Sequence, residues 1–327
     1  MCNGALAMKI LITGTAGFIG FNLARRLLDE GHAVFGLDNF NDYYSVQLKQ
    51  DRHVQLEQYE RYSWRRADLE ALESLQSAFA EFRPDCVVNL AAQAGVRHSI
   101  THPYTYQKSN IEGFLNILEC CRHAPNKPRL VYASSSSVYG GNKTLPFSED
   151  QSVDNPISLY AATKKANELM AHCYSHLYGL QTVGLRFFTV YGPWGRPDMA
   201  MWLFAEAMLK GKPIKVFNHG NMLRDFTYID DIVSGIIGCI FSQNLAKYEI
   251  FNIGNHRSEK LMDMIGLIAS ELGVVDPKLE LLPMQDGDVP VTYASVEKLH
   301  AAVGYEPTTP IAIGIPKFIY WFKEYHK

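Results

Sequence analysis

The sequence has no apolar run long enough to span a bilayer, no excess of charge of one sign and no signal peptide at its start. Its longest apolar stretch, residues 232–241, is far shorter than the roughly 18 residues that a spanning helix needs. Lys and Arg number 31 against 34 Asp and Glu, for a net charge of −3, so neither nucleic acid nor an anionic membrane is an expected partner. Residues 1–7 lack the basic start and long apolar segment of a secretion signal.

Cysteine is also scarce, and its spacing excludes the usual cysteine-based sites. The 6 cysteines contain no C-x-x-C pair, and several lie within apolar segments. This pattern favours buried free thiols in a reducing compartment over a disulfide framework or a zinc site. We therefore expect a cytoplasmic protein without a metal site.

What the sequence does contain is a regular alternation of apolar strands and helices. With 327 residues, 47% of them hydrophobic, the chain can build a large core in one big domain or two. The alternation predicts an α/β fold, in which a parallel sheet carries helices on both faces. The predicted strands of this sheet cover residues 9–13, 33–37, 62–66, 85–90, 130–134 and 186–189.

A glycine-rich loop follows the first predicted strand and leads into a helix. Gly14, Gly17 and Gly20 have the spacing G-x-x-G-x-x-G, a variant of the dinucleotide fingerprint, which lets a pyrophosphate approach the helix N-terminus. Asp38 ends the second strand, where a carboxylate binds both hydroxyls of an adenosine ribose and repels a 2′-phosphate, so NAD is favoured over NADP. The alternative for Asp38 is a solvated carboxylate. Asp68, after the third strand, could accept a hydrogen bond from adenine or equally cap a helix.

Tyr160 and Lys164 form the candidate catalytic pair. Residues 157–178 are predicted to form a helix, with Ser158 among its start signals and Gly179 as its stop, so the two side chains lie on one face. A phenol has an ordinary pKa of about 10, and a neighbouring lysine cation lowers that pKa, so the pair can act as a general base for an alcohol proton. An exposed helix face would give the same spacing by chance.

Four consecutive serines, Ser134 to Ser137, follow the fifth predicted strand. In an open α/β sheet, ligands gather at the carboxyl ends of the strands. A hydroxyl in this position could bind a substrate alcohol or carbonyl, although a serine-rich turn is often only structural.

Taken in order, these motifs resemble the extended short-chain dehydrogenase/reductase family, and the resemblance covers the chain from residue 8 onwards. The motifs T-G-x-x-G-x-x-G, S-S-S-x-V-Y-G and Y-x-x-x-K all occur, together with the acid that ends the second strand. Longer stretches are most similar to the branch that inverts C4 of UDP-glucuronate. They are DNFNDYY from residue 38, AAQAGVR from residue 91, RFFTVYGPWGRPDM from residue 186 and LPMQDGDVP from residue 282.

The resemblance implies a Rossmann-type doubly wound parallel sheet with a smaller C-terminal α/β substrate domain. The NAD-binding domain would span residues 8–190, with 226–258 returning to it, and residues 191–327 would bind the UDP-sugar. The resemblance also implies a homodimer that forms through a four-helix bundle, for which residues 104–121 and 157–178 are the candidate helices.

The resemblance further implies a 4-epimerase with tightly bound NAD, which interconverts UDP-glucuronate and UDP-galacturonate through a 4-keto sugar. Catalysis would rest on Tyr160, Lys164 and Ser135. The residues expected to bind NAD are Gly14, Gly17, Phe18, Ile19, Gly20, Asp38, Asn39, Asp68, Leu69, Ala91, Ala92, Gln93, Lys164 and Phe187. The residues expected to bind the UDP-sugar are Ser136, Ser137, Thr189, Arg196, Val216, Phe217, Arg224 and Asp288.

Single positions bear on the choice among related reactions. Ser137 stands where related decarboxylases and 4,6-dehydratases carry an acid, and Ser136 stands where dehydratases carry Asp, which favours epimerisation. The fork of Arg196 suits the C6 carboxylate, or else it makes a structural loop contact. Gln285 fits the uronate enzymes. Thr292, at the gate position of UDP-galactose epimerases, keeps a UDP-hexose or UDP-N-acetylhexosamine 4-epimerase as the alternative.

Overall fold

A computed structural model describes residues 7–285 and 289–327. Its strands, in chain order, are β1 (Lys9–Thr13), β2 (Ala33–Asp38), β3 (Tyr62–Arg66), β4 (Cys86–Asn89), β5 (Arg129–Ser135), β6 (Thr182–Phe187), β7 (Thr189–Tyr191), β8 (Ile214–Val216), β9 (Leu223–Arg224), β10 (Phe226–Tyr228), β11 (Tyr248–Ile253), β12 (Glu259–Lys260) and β13 (Leu279–Leu281).

Helices connect and cover these strands. The α-helices are α1 (Phe18–Asp29), α2 (Val46–Leu56), α3 (Leu72–Phe82), α4 (His98–Thr101), α5 (Pro103–Tyr106), α6 (Gly113–His123), α7 (Leu159–Tyr178), α8 (Ala200–Leu209), α9 (Ile229–Phe241), α10 (Leu261–Leu272), α11 (Glu297–Val303) and α12 (Ile311–Tyr325). Within the described parts of the chain, no helix is both long and apolar enough to cross a membrane.

The central sheet has 7 strands in the order β11-β6-β5-β4-β1-β2-β3. Every neighbouring pair in it is parallel. The chain builds outward from β1 to β3, then returns to β4 on the other side of β1 and builds outward again. The strand order therefore reverses between β1 and β4, and in doubly wound sheets this switch point opens a crevice at the carboxyl ends of the strands.

The sheet has a hydrophobic layer on each face, as the α/β prediction requires. Along β1, Ile10 and Ile12 belong to the core cluster that contains residues of α1 and α9, whereas Leu11 belongs to the cluster formed with α3 and α6. Successive side chains of a strand point to opposite faces, so a strand covered on both sides is apolar throughout. The four residues from Ile10 to Thr13 are accordingly all buried.

The prediction for the sixth strand was wrong. It placed the strand at residues 186–189, whereas β6 ends at Phe187 and Thr189 begins β7, which pairs with β10 outside the central sheet. The β6 segment contains Gly184, which weakens the strand pattern. Glycine is needed there because an added Cβ would lie 2.6 Å from the Tyr132 hydroxyl oxygen and 2.5 Å from Ile250 Cδ1.

The two helices predicted at residues 104–121 and 157–178 are present with altered bounds. The first is a continuous helical segment in which a π-helical turn, Gln107–Glu112, joins α5 to α6. The second, α7, begins at Leu159 because Ser158 caps it, its side chain accepting a hydrogen bond from the amide of Ala161 at 3.1 Å. Gly179 ends α7 in the left-handed conformation that helix stops favour.

The cysteines that the structure describes are free. Cys86, Cys120, Cys121 and Cys239 are buried as predicted, and Cys173 on α7 is exposed. In the described ranges, no cluster of His, Cys, Asp and Glu side chains is arranged to hold a metal ion.

Candidate active site

A large cleft lies at the carboxyl ends of the central strands, with a volume of about 1070 Å³. Its walls come from the loops that follow β1, β2, β4, β5 and β6, from α7 and from α8. Most of the residues that the sequence predicts for the site line this cleft, including all three predicted catalytic residues. The predicted residues that do not line it are Asp68, Val216 and Arg224, and Asp288 lies outside the described residues.

The glycine loop forms the floor of the cleft below α1. Gly14 has a φ of +81°, and an added Cβ there would lie 2.9 Å from the amide nitrogen of Ala91. An added Cβ on Gly20 would lie 2.1 Å from the carbonyl oxygen of Gly14. Gly14 and Gly20 can therefore pack against the neighbouring backbone only as glycines, which leaves the loop backbone and the N-terminus of α1 open to a pyrophosphate. This cradle fits a dinucleotide.

The carboxylate of Asp38 is held in place by the backbone around it. One oxygen accepts a hydrogen bond from the amide of Ala16 and the other from the amide of Phe40, both at 2.9 Å. The orientation brings the end of β2 against the glycine loop, where a ribose of a bound dinucleotide would lie. This placement suits NAD, because a 2′-phosphate would meet a fixed negative charge.

The other cofactor predictions fall around this floor. Asp68 does not cap α3, whose N-cap is Ala71, and instead accepts a hydrogen bond from the Asn39 side chain at 2.6 Å. Gln93 is held by Asn110, which exchanges two hydrogen bonds with its backbone, at 2.8 and 3.1 Å. The cleft is lined here by the predicted residues Phe18, Ile19, Asn39, Leu69, Ala91, Ala92, Gln93 and Phe187.

Tyr160 and Lys164 project from the first turns of α7 into the cleft. Ser135, at the end of β5, lines the cleft beside Tyr160 and opposes the rise of its pKa, and the Tyr160 ring packs edge-on against Tyr106 at a centroid distance of 6.1 Å. Lys164 is only 3% exposed, and its Nζ donates a hydrogen bond to the carbonyl oxygen of Ala133 at 2.9 Å. The helix and the strand end thus bring the three predicted catalytic side chains together.

The electrostatics of this pair differ from the sequence-based expectation. Burial raises the pKa of Tyr160 above its ordinary value, while the hydrogen bond with Ser135 and the charge of Arg196 oppose the rise. A lowering by Lys164 is not found; its Nζ lies 5.9 Å from the Tyr160 ring centroid. Burial instead lowers the pKa of Lys164 itself to about 8. The phenol is therefore a weak base at neutral pH in this arrangement.

A buried polar network supports the strand end that carries Ser135. Ser134 turns away from its neighbour and donates to Glu168 at 2.6 Å, and Glu168 pairs with Arg186 through two hydrogen bonds of 2.9 Å. Arg186 also donates to the Tyr139 hydroxyl at 3.0 Å. Because Glu168 and Arg186 are almost fully buried, this pair and Ser134 fix β5, β6 and α7 relative to one another, and these are the elements that carry the predicted catalytic side chains.

Arg196 lines the cleft and is paired with a carboxylate that the sequence did not predict as a site residue. Its Nε and Nη2 donate to the two oxygens of Asp198 at 3.0 and 2.6 Å. Burial favours the neutral acid, but the guanidinium overrides this and holds the pKa of Asp198 below its usual value. The Tyr43 hydroxyl donates to the same carboxylate at 3.2 Å. Asp198 thus occupies the edge of the Arg196 guanidinium formed by Nε and Nη2, whereas it makes no hydrogen bond with Nη1.

Asp198 and Tyr43 lie inside the RPDM and DNFNDYY stretches, but nothing local in the sequence shows that they meet. They are 155 residues apart. The carboxylate two residues after Arg196 was the one available signal. Lys49 is a further missed cleft residue: its Nζ donates to Asn41 at 2.6 Å, and burial lowers its pKa to about 8.

Some of the residues predicted to bind the substrate line the cleft, and others lie outside its lining. Ser136, Ser137, Thr189, Arg196 and Phe217 line the cleft. The Val216 side chain is fully buried.

Arg224 and Thr292 lie together beside β9, away from the cleft wall. Arg224 donates hydrogen bonds to the carbonyl oxygens of Leu223 and Pro290, at 3.0 and 3.1 Å. The Thr292 hydroxyl accepts from the amide of Asp225 at 3.3 Å, so its position is tied to the backbone that follows Arg224.

Comparison with known proteins agrees with this geometry. The sequence model of the NAD dependent epimerase/dehydratase family matches residues 10–254. Protein CapI of Staphylococcus aureus is 51% identical in an alignment of 336 positions, gaps included. The alignment covers 98% of this chain and 100% of that protein. UDP-glucuronate 4-epimerase 2 of Arabidopsis thaliana is 44% identical over 334 residues, which cover 98% of this chain and 77% of the plant protein.

A solved structure is similar over nearly the whole chain. It is the UDP-glucuronic acid 4-epimerase of Bacillus cereus in complex with UDP-glucuronic acid and NAD, which shares 33% sequence identity and a TM-score of 0.91. The match covers 97% of this chain and 100% of the bacterial enzyme.

Proposed function

This chain belongs to the NAD-dependent epimerase/dehydratase family, and from that premise we propose that it is a UDP-glucuronate 4-epimerase. It interconverts UDP-glucuronate and UDP-galacturonate by inverting C4 of the sugar through a 4-keto intermediate. The single observation that carries the proposal is the arrangement of Tyr160, Ser135 and Arg196 around one cleft, since it combines an alcohol acid/base group with a cation for a carboxylate.

The chemistry that bound NAD supplies is reversible hydride transfer at C4 of the sugar. Tyr160 removes the proton of the 4-hydroxyl as C4 is oxidised and returns it when C4 is reduced. Ser135 hydrogen-bonds with the phenol and helps to hold the oxygen at C4. Lys164, buried one helical turn away, completes the acid/base pair. Its positive charge would favour the phenolate if the protonated amine moved closer to the phenol oxygen, since no lowering of the Tyr160 pKa by Lys164 is found in the present arrangement.

The cofactor-binding role belongs to the residues of the cleft floor. We assign it to residues 8–190, with 226–258, and the UDP-sugar to residues 191–327. The glycine loop would hold the pyrophosphate, and Asp38 would hold the adenosine ribose. The small residues Ala91 and Ala92 would let the cofactor lie close to the backbone, and tight binding there would keep it from leaving between oxidation and reduction.

Recognition of a uronate is the substrate-specific part of the proposal. Oxidation at C4 turns UDP-glucuronate into a β-keto acid, which can lose CO₂. Arg196, with Ser136, Ser137 and Thr189, would bind the C6 carboxylate and hold it against loss. No acid occupies the two serine positions, so no negative charge repels the substrate carboxylate there.

We assign the nucleotide end of the substrate to the four remaining residues that the resemblance implies for it. Phe217 would contact the uracil with Val216 behind it, Arg224 would bind the diphosphate, and Asp288 would bind the uridine ribose. Arg224 donates hydrogen bonds to the carbonyl oxygens of Leu223 and Pro290, so binding of the diphosphate would change the orientation of its side chain.

One assay tests the function. The purified chain is incubated without added reductant with UDP-glucuronate, UDP-glucose or UDP-N-acetylglucosamine, and the products are resolved by NMR. We expect UDP-galacturonate from the first and little conversion of the other two. Release of CO₂ with a UDP-4-keto-pentose would show a decarboxylase, and faster conversion of a neutral or N-acetylated sugar would show the alternative epimerase.

We further propose that the enzyme is a cytoplasmic homodimer that forms through a four-helix bundle. Support for the dimer comes from apolar side chains that stand exposed on its candidate helices, Leu115 on α6 and Leu169 and Leu177 on α7. Leu169 is 55% exposed and Leu177 is 65% exposed, which is costly in a monomer. Sedimentation analysis of the wild-type chain and of Leu169→Glu tests the interface.

A further inference from the structure

A buried arginine joins the glycine loop to the loop that carries Arg196. Arg52, on α2, has 0% exposure. Its Nη1 donates to the carbonyl oxygen of Ala16 at 2.9 Å, and its Nη2 donates to the carbonyl oxygens of Trp194 and Gly195 at 2.7 and 2.9 Å. The first acceptor lies in the cofactor loop, and the other two immediately precede Arg196.

This arrangement is a costly way to stabilise a fold. Among the described residues, the acceptors of Arg52 are carbonyl and hydroxyl oxygens and none is a carboxylate, and its Nε has no hydrogen-bond partner. Burial of a charged group without an opposite charge is unfavourable, and an apolar side chain of similar volume often packs at lower cost. Packing alone therefore does not explain why a guanidinium occupies this buried position.

The two loops that Arg52 joins are otherwise tied to ligand-binding groups. The amide of Ala16 donates to Asp38 and its carbonyl oxygen accepts from Arg52, so both backbone groups of this residue are held in place. On the other side, Gly195 precedes Arg196, whose fork is oriented by Asp198. A series of hydrogen bonds thus runs from the Asp38 carboxylate through Ala16 and Arg52 to the carbonyl oxygens of Trp194 and Gly195, and the backbone continues from there directly to Arg196.

We propose that Arg52 is a positioning residue for uronate recognition: it fixes the loop that carries Arg196 against the glycine loop, so that the guanidinium of Arg196 meets the substrate carboxylate only in that geometry. The inference rests on the proposed function. A change at Arg52 should weaken the preference for a carboxylated sugar, whereas the uridine diphosphate contacts, which lie elsewhere, should be spared.

The test measures that preference by binding rather than by turnover. Tyr160→Phe holoenzyme, which does not turn over, is titrated calorimetrically with UDP-glucuronate and with UDP-glucose, with and without Arg52→Met or Arg52→Lys. We expect each Arg52 variant to lower the ratio of the two affinities about tenfold, a coupling within the usual range between linked sites. Binding of UDP-glucose should change by less than about threefold.

Arg129 provides the matched control. It is a partly buried arginine at the amino end of β5, the end away from the cleft. There it donates to Gln181 and to the carbonyl oxygens of Cys239 and Ile240. Arg129→Met should lower the thermal midpoint but leave the affinity ratio unchanged. Because Arg52→Met could fail to give holoenzyme, Arg52→Lys, which keeps the charge but not the fork, decides the outcome in that case.

An affinity ratio unchanged within twofold would overturn the inference. If neither affinity changed, Arg52 would have no part in binding, and if both fell equally, its role would be generally structural. Failure of the proposed function is seen separately. It would appear as a wild-type enzyme that does not convert UDP-glucuronate in the NMR assay, whatever the Arg52 variants bind.

Discussion

Replacement of Lys164 by methionine should stabilise the protein at neutral pH while it abolishes catalysis. Burial lowers the pKa of Lys164 from 10.5 to about 8, which means that the folded state disfavours the charged amine. A difference of 2.5 units corresponds to about 3 kcal/mol of lost stability at pH 7. The hydrogen bond to Ala133 offsets about 1 kcal/mol of this cost, so we expect Lys164→Met to be more stable by about 2 kcal/mol.

The pH dependence of this difference identifies its cause. Below pH 8 the lysine is charged in both the folded and the unfolded state, and the full cost of burial is present. Between about pH 8 and 10.5 the unfolded chain binds more protons than the folded one, so wild-type stability rises with pH and the cost disappears. The advantage of Lys164→Met should therefore shrink by about 2 to 3 kcal/mol between pH 7 and pH 10.

Urea unfolding at pH 7 and pH 10, with matched protein freed of NAD, measures both values. Lys108→Met is the control, since Lys108 is an exposed lysine on the helical segment before α6, and its replacement should change stability by less than about 0.5 kcal/mol at either pH. Activity of Lys164→Met should fall by roughly 10² to 10⁴, the usual contribution of acid/base catalysis. If the variant were no more stable than wild type at pH 7, or if its advantage persisted at pH 10, the assigned cost of the buried charge would be wrong.

Three further predictions follow from the site and its support. Arg196→Met should weaken binding of UDP-glucuronate roughly 10- to 100-fold, the value of charge-assisted hydrogen bonds, and binding of UDP-glucose only a few-fold; equal losses would remove its proposed role. Gly20→Ala places a Cβ 2.1 Å from a backbone carbonyl oxygen and should give protein with little bound NAD, whereas Gly266→Ala, with open space around it, should purify with a full complement. Arg186→Met leaves the buried Glu168 with the Ser134 hydroxyl and with Lys165 at 3.9 Å, but without its main ion-pair partner, which should cost about 3 kcal/mol in urea unfolding, and the double variant with Glu168→Met should recover most of it; no recovery would show that the pair is not what holds the strands.

The family and the cofactor could be predicted from the sequence, and so could the position of Tyr160 and Lys164 on one face of a helix, because each rests on local motifs and spacing. The glycines of the loop occupy fixed positions between a strand and a helix, and a spacing of four residues on a helix sets the relation of Tyr160 to Lys164. The bounds of β6 could not be predicted in the same way. Taken by itself, Gly184 disfavours a strand. Glycine is required there because Tyr132 and Ile250, on the neighbouring strands, leave no space for a side chain.

The charges inside the cleft were decided by tertiary structure alone. Motif spacing places a lysine near a phenol, but the pKa of each depends on how much water the folded protein excludes, and here burial outweighs their mutual influence. The contacts around Arg196 could likewise not be predicted from the sequence, since Tyr43 contacts Asp198 from 155 residues away and Arg52 contacts Trp194 from 142 residues away. Sequence periodicity specifies which face a side chain takes on its own element, whereas contacts between distant segments, and the dielectric they create, exist only once the chain has packed.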